Sequence, residues 1–228
     1  MRNRPAACVS AILAGILLIG WVLYEEQIIY NPTHQGAIDV KSAVIEPVTI
    51  EQCVVSVFAL KGNQQRYGKG VVVEYDGETF VLTSNMILVD GWDSIDVIMN
   101  DWTARDFSVQ VDEGYGLAAF STEPGFFQGY PISDAPNLPP NTETVAINNE
   151  NNVLVTVLDY INDDWFLITG VTENYIGAPL VNGGEITGIV VGINSINSNQ
   201  AIAVGNRAIK EFVRDVVDAP PLPIFVEE

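Results

Sequence analysis

Hydrophobic and polar positions alternate in short runs along most of the chain, and turn residues separate the runs. Val54–Leu60, Gly70–Tyr75, Thr79–Thr83, Ile95–Met99, Phe107–Val111 and Leu117–Phe120 form one set of predicted strands. Thr144–Ile147, Val153–Tyr160, Trp165–Thr169, Pro179–Val181, Glu185–Ile193 and Ala201–Val204 form a second. Asp76-Gly77 and Asn182-Gly183-Gly184 are hairpin turns, because the tight turns that match strand twist need residues that tolerate positive φ. Between the sets, Pro131–Pro140 carries four prolines and cannot continue a central strand. The pattern predicts an all-β domain, either a double barrel or a sandwich. One helix closes it: Ala208, Ile209, Phe212, Val213 and Val216 recur at helical spacing, with Asn206 as N-cap and Ala219-Pro220 as the stop.

A different pattern opens the chain. Arg2 and Arg4 precede a charge-free run from Pro5 to Tyr24, and Glu25 and Glu26 follow it. About twenty apolar residues cross a bilayer as a helix, and the arginine bias holds the N-terminus in the cytoplasm. The run predicts a transmembrane signal anchor over 1–27 with everything after it extracytoplasmic. A cleaved signal peptide is the alternative, although Gly20-Trp21-Val22-Leu23-Tyr24 offers no small-x-small cleavage site. Cys8 precedes the apolar run, which argues against lipidation there. A linker over 28–49, a domain over 50–218 (first half about 50–125, second half about 138–205, helix 206–218) and a proline-rich tail over 219–228 complete the organisation. That tail either packs on its own domain or is an extended ligand for a partner's aromatic groove.

Charge narrows the partners. The formal net charge is −19, and it falls entirely on the external part because Arg2 and Arg4 cancel Glu25 and Glu26. Such a surface repels nucleic acid and anionic lipid headgroups and favours basic proteins, cationic peptides or divalent cations. Cys53 is the single cysteine past the anchor, so no disulfide forms within the domain, and it reads as a small buried hydrophobe. Asp90, Asp93 and Asp96, and again Asp159, Asp163 and Asp164, are acidic loop clusters without EF-hand spacing. They read as solvated turns, a zinc site lacks ligands, and no metal or other cofactor is expected.

Three segments carry the chemistry. Residues 168–180 read Ile-Thr-Gly-Val-Thr-Glu-Asn-Tyr-Ile-Gly-Ala-Pro-Leu, followed by Val181-Asn182-Gly183-Gly184-Glu185-Ile186-Thr187-Gly188-Ile189. Upstream, Gly68-Lys69-Gly70-Val71-Val72-Val73 leads to Val81-Leu82-Thr83-Ser84-Asn85-Met86-Ile87, and Tyr115-Gly116-Leu117-Ala118-Ala119-Phe120 comes next. From about Cys53 to Val217 the chain resembles the HtrA/Deg family of trypsin-type serine proteases, with its Gly-Asn-Ser-Gly-Gly-Pro-Leu, Leu-Thr-Asn-Asn-His-Val and Thr-Asp-Leu-Ala-Val-Leu motifs. The resemblance implies the two-barrel trypsin-like fold. It also sets Met86 at the histidine position, Gly116 at the aspartate and Ile176 at the serine, in the chain order His, Asp, Ser. Catalysis is therefore expected to be lost.

The expectation has support outside the alignment. His34 is the single histidine, ahead of the first motif, and a serine nucleophile needs an adjacent base. Glu173 and Asn174 alter the turn that aims the oxyanion-binding N–H groups, and Ile176 fills the space of an acyl carbonyl. Ser84 with Lys61 or Lys69 as base is a weaker substitute reading. The strand implied to line the family's substrate cleft corresponds to Gly188–Ser195, making Gly188, Val190, Gly192, Ile193 and Asn194 candidate peptide-binding residues. Met86, Tyr175 and Ile176 are the side chains that would fill that cleft. In that family a PDZ domain often follows the last helix, and none is expected over Pro220–Glu228. Two functions fit: a module that holds a protein or peptide, basic by charge, without cutting it, or an inert accessory subunit that fastens a membrane complex.

Overall fold

Asp76 and Gly77 both take positive φ, 54° and 83°, so the turn between the second and third strands has the handedness that a two-residue hairpin requires. Gly183 and Gly184, at 61° and 84°, make the matching turn in the second half. A computed structural model describes residues 48–88, 92–99, 102–104, 109–121 and 128–218. The N-terminal apolar run, His34, Asp90 and the proline-rich tail lie outside the described residues.

The first half begins with a single turn of helix, α1 (Ile50–Cys53), and continues as β1 (Val54–Lys61), β2 (Gln64–Tyr75), β3 (Glu78–Ser84), β4 (Ser94–Met99), β5 (Trp102–Ala104), β6 (Val109–Asp112), β7 (Leu117–Ser121) and β8 (Tyr130–Pro131). A short 3-10 turn, Asn85–Ile87, follows β3. These strands form one sheet in the order β5-β4-β1-β2-β3-β7-β6, with β8 paired in parallel to β2. Among the described residues β5 and β6 do not pair, so this half is a curled half-barrel where the sequence predicted a full barrel. Val55, Val57, Val72, Leu82, Ala118 and Phe120 are buried within it.

The second half closes on itself. β9 (Glu143–Ala146), β10 (Val153–Tyr160), β11 (Trp165–Thr169), β12 (Pro179–Asn182), β13 (Glu185–Ile193) and β14 (Gln200–Gly205) form a barrel in the order β10-β11-β14-β13-β12-β9. Val155, Val157, Phe166, Ile168, Leu180 and Val190 fill it. Closure removes the sheet edges that would otherwise pair with other chains.

A terminal helix, α2 (Asn206–Asp218), turns Ile209, Phe212, Val213 and Val216 into a hydrophobic cluster that both halves share, packing on β13, β14 and β7. Gln110 on β6 donates to the Val216 carbonyl at 3.4 Å, and the Tyr115 hydroxyl donates to Glu211 at 3.0 Å. Asn206 does not cap this helix as the sequence suggested. Its buried amide Nδ2 donates to the carbonyls of Ser133 (2.9 Å) and Ala135 (2.6 Å), while Oδ1 has no partner. The side chain clamps the connection between the halves through Nδ2, whereas a cap would have used Oδ1 to accept a helix N–H. No helix among the described residues is long and apolar enough to cross a membrane.

Candidate functional site

The three positions singled out by the motifs converge on the middle of β13. Met86 sits in the 3-10 turn after β3, where Ser84 receives its N–H at 3.1 Å. Its Sδ lies against Gly192, so that a methyl group built there would come within 2.9 Å of the sulfur. Gly116 ends the turn between β6 and β7 with φ at 71°. Its carbonyl accepts the Asn85 N–H at 2.9 Å, and a Cβ there would meet Val191 at 3.6 Å and Trp165 at 3.5 Å. Ile176 follows a second 3-10 turn, Glu173–Tyr175. Its carbonyl accepts the Lys69 N–H at 2.7 Å, and the Gly177 N–H donates to Val190 at 2.7 Å.

Two of these positions behave differently as packing. Ile176 is half-buried against the cluster shared by the two halves, the packing expected of an apolar side chain there. Met86 is 49% exposed and does not fill the site. Tyr175 is outside the cleft altogether, buried in the second barrel with its hydroxyl donating to the Asn151 carbonyl at 2.6 Å. Burial raises its pKa, with Glu150 adding to the effect.

The backbone of the Ile176 loop decides what the site can bind. Its N–H donates to the Glu173 carbonyl at 3.1 Å, and the Tyr175 N–H to Thr172 at 3.0 Å. A nucleophile-position N–H that stabilises an oxyanion must point at open space. Here that donor closes a 3-10 turn. Gly177, at φ 85°, is required by the approach of β2: a Cβ would overlap the Lys69 carbonyl and come within 2.5 Å of Thr83 Oγ1.

Ser84 has no base beside it. Its buried hydroxyl donates to the Val191 carbonyl at 2.7 Å. Lys69 is buried with Nζ donating to Ser56 at 3.2 Å and lying 5.0 Å from the Tyr67 ring centre, while Lys61 is exposed at the end of β1. The substitute Ser–Lys pair is thus not hydrogen-bonded: Lys69 Nζ is engaged by Ser56, and the Ser84 hydroxyl by the Val191 carbonyl.

Along β13 the candidate binding residues divide. Gly188 pairs with Leu180 on one side and Gly205 on the other, and the Val190 N–H donates to the Ala178 carbonyl at 3.0 Å while its side chain faces the barrel interior. Neither has a free edge, since the Val190 carbonyl in turn accepts the Gly177 N–H at 2.7 Å. Between Val190 and Gly192 the register with β14 shifts, and bulges of this kind re-aim backbone groups. The result is the Val191 carbonyl turned onto Ser84. Beyond it, Asn194 N–H donates to Gln200 at 2.9 Å, and since successive residues of an antiparallel strand point to opposite sides, the Ile193 N–H and C=O point away from β14. β12 has ended by then. Asn194 uses its side chain on Gln200 (3.0 Å) and the Ile196 N–H (3.0 Å), which shapes its own hairpin. Motif reading missed Ser84's capping role and the bulge, for which β-patterned residues carry no signal.

The acidic clusters hold no convergent set. Asp93 accepts the Gly62 N–H at 2.6 Å, Asp159 the Tyr160 N–H at 2.8 Å, and Asp164 pairs with Arg207 at 2.7 Å. Among the described residues no group of three or more His, Cys, Asp or Glu side chains is placed to hold a metal ion.

Comparison with solved structures settles the architecture. The Rv3671c protease from M. tuberculosis, in its active form, superposes with a TM-score of 0.63 at 17% identity, over 76% of this chain and 85% of that one. The serine endoprotease from Yersinia pestis gives 0.62 at 17% over 74% of this chain, and the HtrA-type protease AlgW with tripeptide gives 0.62 at 16%, again over 74%. This chain has the trypsin-type protease fold. It spans 64% and 61% of the last two proteins' chains. No protein-family profile and no curated protein sequence matches it. In the trypsin-type fold the cleft runs between the two halves, where Met86, Gly116 and Ile176 meet Val190–Gly192.

Proposed function

We propose that the domain is a proteolytically inactive trypsin-type module that holds a protein or peptide on the extracytoplasmic side of a membrane, tethered by its N-terminal apolar run. The observation that carries the reading is the Ile176 position, where an isoleucine replaces the nucleophile and its N–H is committed to the Glu173 carbonyl at 3.1 Å. Met86 and Gly116 supply neither base nor orienting carboxylate. Peptide holding is supported by the outward-facing main-chain groups of Ile193, which suit pairing with an extended segment. One structural neighbour was solved with a tripeptide. An active endopeptidase is the weaker reading, since none of Met86, Gly116 and Ile176 is a nucleophile or a base.

The second reading, an inert accessory subunit of a membrane complex, draws on the capped Val191 carbonyl and the two-sided pairing of β13 through Val190. Both leave a short free edge. A serine-directed fluorophosphonate on the full chain tests inactivity: no labelling is expected, and labelling abolished by Ser84→Ala would make Ser84 a nucleophile and overturn the proposal. Retention in the membrane fraction through carbonate extraction tests the tether; a soluble mature protein starting near Glu25 would replace it with a cleaved signal peptide.

A further inference from the structure

The connection between the halves, the first turn of α2 and the turn between β10 and β11 border a cavity of about 740 Å³ that shares none of its lining residues with the cleft. Asn206 Nδ2 holds the Ser133 and Ala135 carbonyls, and Asn137 Nδ2 donates to the Asp163 carbonyl at 2.7 Å. Each amide nitrogen thus faces carbonyl oxygen, which fixes both amide orientations. The two Oδ1 atoms are left buried and without a partner, on side chains that line the same pocket. Asn206 is only 4% exposed, and Asn137 Oδ1 lies against Gly205, where a Cβ would overlap it. A buried acceptor without a donor is costly, so two in one pocket mark a place for donor groups.

The charges around the pocket are matched. Arg207 pairs with Asp164 at 2.7 Å and approaches Asp163 at 3.9 Å, and Lys210 pairs with Asp134. A free ion of either sign therefore meets no lone opposite charge, while guanidinium and ammonium keep N–H groups beyond these pairs. Ala135, Pro136 and the ring of Tyr160, whose hydroxyl is spent on the Leu138 carbonyl, supply an apolar wall. Apolar walls with a few placed polar groups are the usual make-up of a small-molecule site, and the volume falls in the usual range.

We propose that this pocket binds a neutral sugar, whose hydroxyls donate to Asn137 and Asn206 Oδ1 and accept from Arg207 and Lys210 while its C–H face lies on Tyr160 and Pro136. A hydroxyl both donates and accepts, which suits a site of orphan acceptors, spare N–H groups and matched charge. The site goes beyond the reading of the cleft and stands whether or not the cleft holds a peptide.

Saturation-transfer NMR on the full-length protein in sugar-free detergent tests it. The probes are the methyl glycosides of glucose, galactose, mannose and N-acetylglucosamine. At least one is expected to bind, with affinity about tenfold lower in Lys210→Met, the scale of one hydrogen bond to a charged group. Ala135→Trp, which sets a bulky ring on the exposed wall, is expected to abolish the signal. Near-UV circular dichroism verifies that both variants fold. Comparing the sugar that binds as its methyl glycoside and as its linear tetrasaccharide separates the sources: equal affinity assigns a free sugar, and a gain with length a polysaccharide. No saturation transfer to any of the four glycosides, or a signal that either folded variant leaves unchanged, would overturn the proposal. Tighter binding of the amino-sugar or uronic-acid counterpart would overturn it too, by making the pocket an ion site.

Discussion

Restoring all three polar residues together, Met86→His, Gly116→Asp and Ile176→Ser, is expected to weaken the domain without producing a protease. Met86 is half-exposed, so its replacement changes stability by about 0.5 kcal/mol at most. Gly116 sits at φ 71°; aspartate enters that region at a cost of about 1 kcal/mol. Space is not the obstacle, since the nearest atoms to a Cβ there are at 3.5 and 3.6 Å. Ile176 loses apolar contact with the shared cluster, worth about 1.5 kcal/mol for a half-buried aliphatic chain. The total, about 3 kcal/mol, corresponds to a fall in melting temperature of roughly 10 °C for a domain of this size. Near-UV circular dichroism melts of wild type and variant at pH 7 read it directly. Ester hydrolysis is expected to stay at background, because the N–H at position 176 still closes the 3-10 turn onto Glu173, and loss of one oxyanion donor alone costs about a hundred- to a thousandfold. A melting temperature unchanged within about 3 °C would show that the site is solvated and unpacked. A stoichiometric burst, or phosphonate incorporation at position 176, would refute the committed-donor argument.

Three further outcomes follow from single contacts. Cys53 is buried with its thiol pushed up to about 11 by desolvation, so iodoacetamide at pH 8 should leave the native protein unmodified and alkylate it in urea. Its folded pKa lies above the ordinary thiol value of 9.0, so its contribution to stability is full below about pH 9 and lost as pH rises towards 11; Cys53→Ala should reduce that alkaline loss in urea titrations. Gly177→Ala should cost about 4 kcal/mol or prevent folding, because its Cβ overlaps the Lys69 carbonyl and the residue sits at φ 85°, and a urea midpoint near wild type would disprove the close approach. Asn206→Ala should cost about 2 kcal/mol by freeing the Ser133 and Ala135 carbonyls; an unaffected midpoint would mean water replaces the amide without loss.

The parts legible in the sequence were those fixed by local rules. β10, β11, β13 and α2 start and end where alternation and the proline stop put them, and both hairpin turns carry the positive φ that their Asp-Gly and Gly-Gly pairs allow. Elements held by distant partners were not legible. β2 starts at Gln64, not Gly70, because Gln64–Lys69 is paired to β1 from Lys61 back to Ser56 despite its polar, non-alternating composition. β8 exists through two parallel pairs with Val73 and Glu74. At the site, the motifs pointed to Met86, Gly116 and Ile176, and the structure brings all three to the middle of β13. The Val191 bulge, Ser84's capture of its carbonyl and the exposure of Met86 depend on how β13 meets β3, and no run of residue types records that.

Helix α2, the last described element, packs its apolar stripe into a cluster built from both halves, against β7 on one side and β13 and β14 on the other. The N-terminal half emerges first during synthesis, yet it lacks a wall until residues 206–218 appear. The side of β7 that the helix covers would then wait while the second half is being made. The shared cluster is completed only when the last-made helix joins strands from both halves. A ribosome stalled before Asn206 would leave the early half exposed to aggregation or chaperone capture, whatever the state of the cleft.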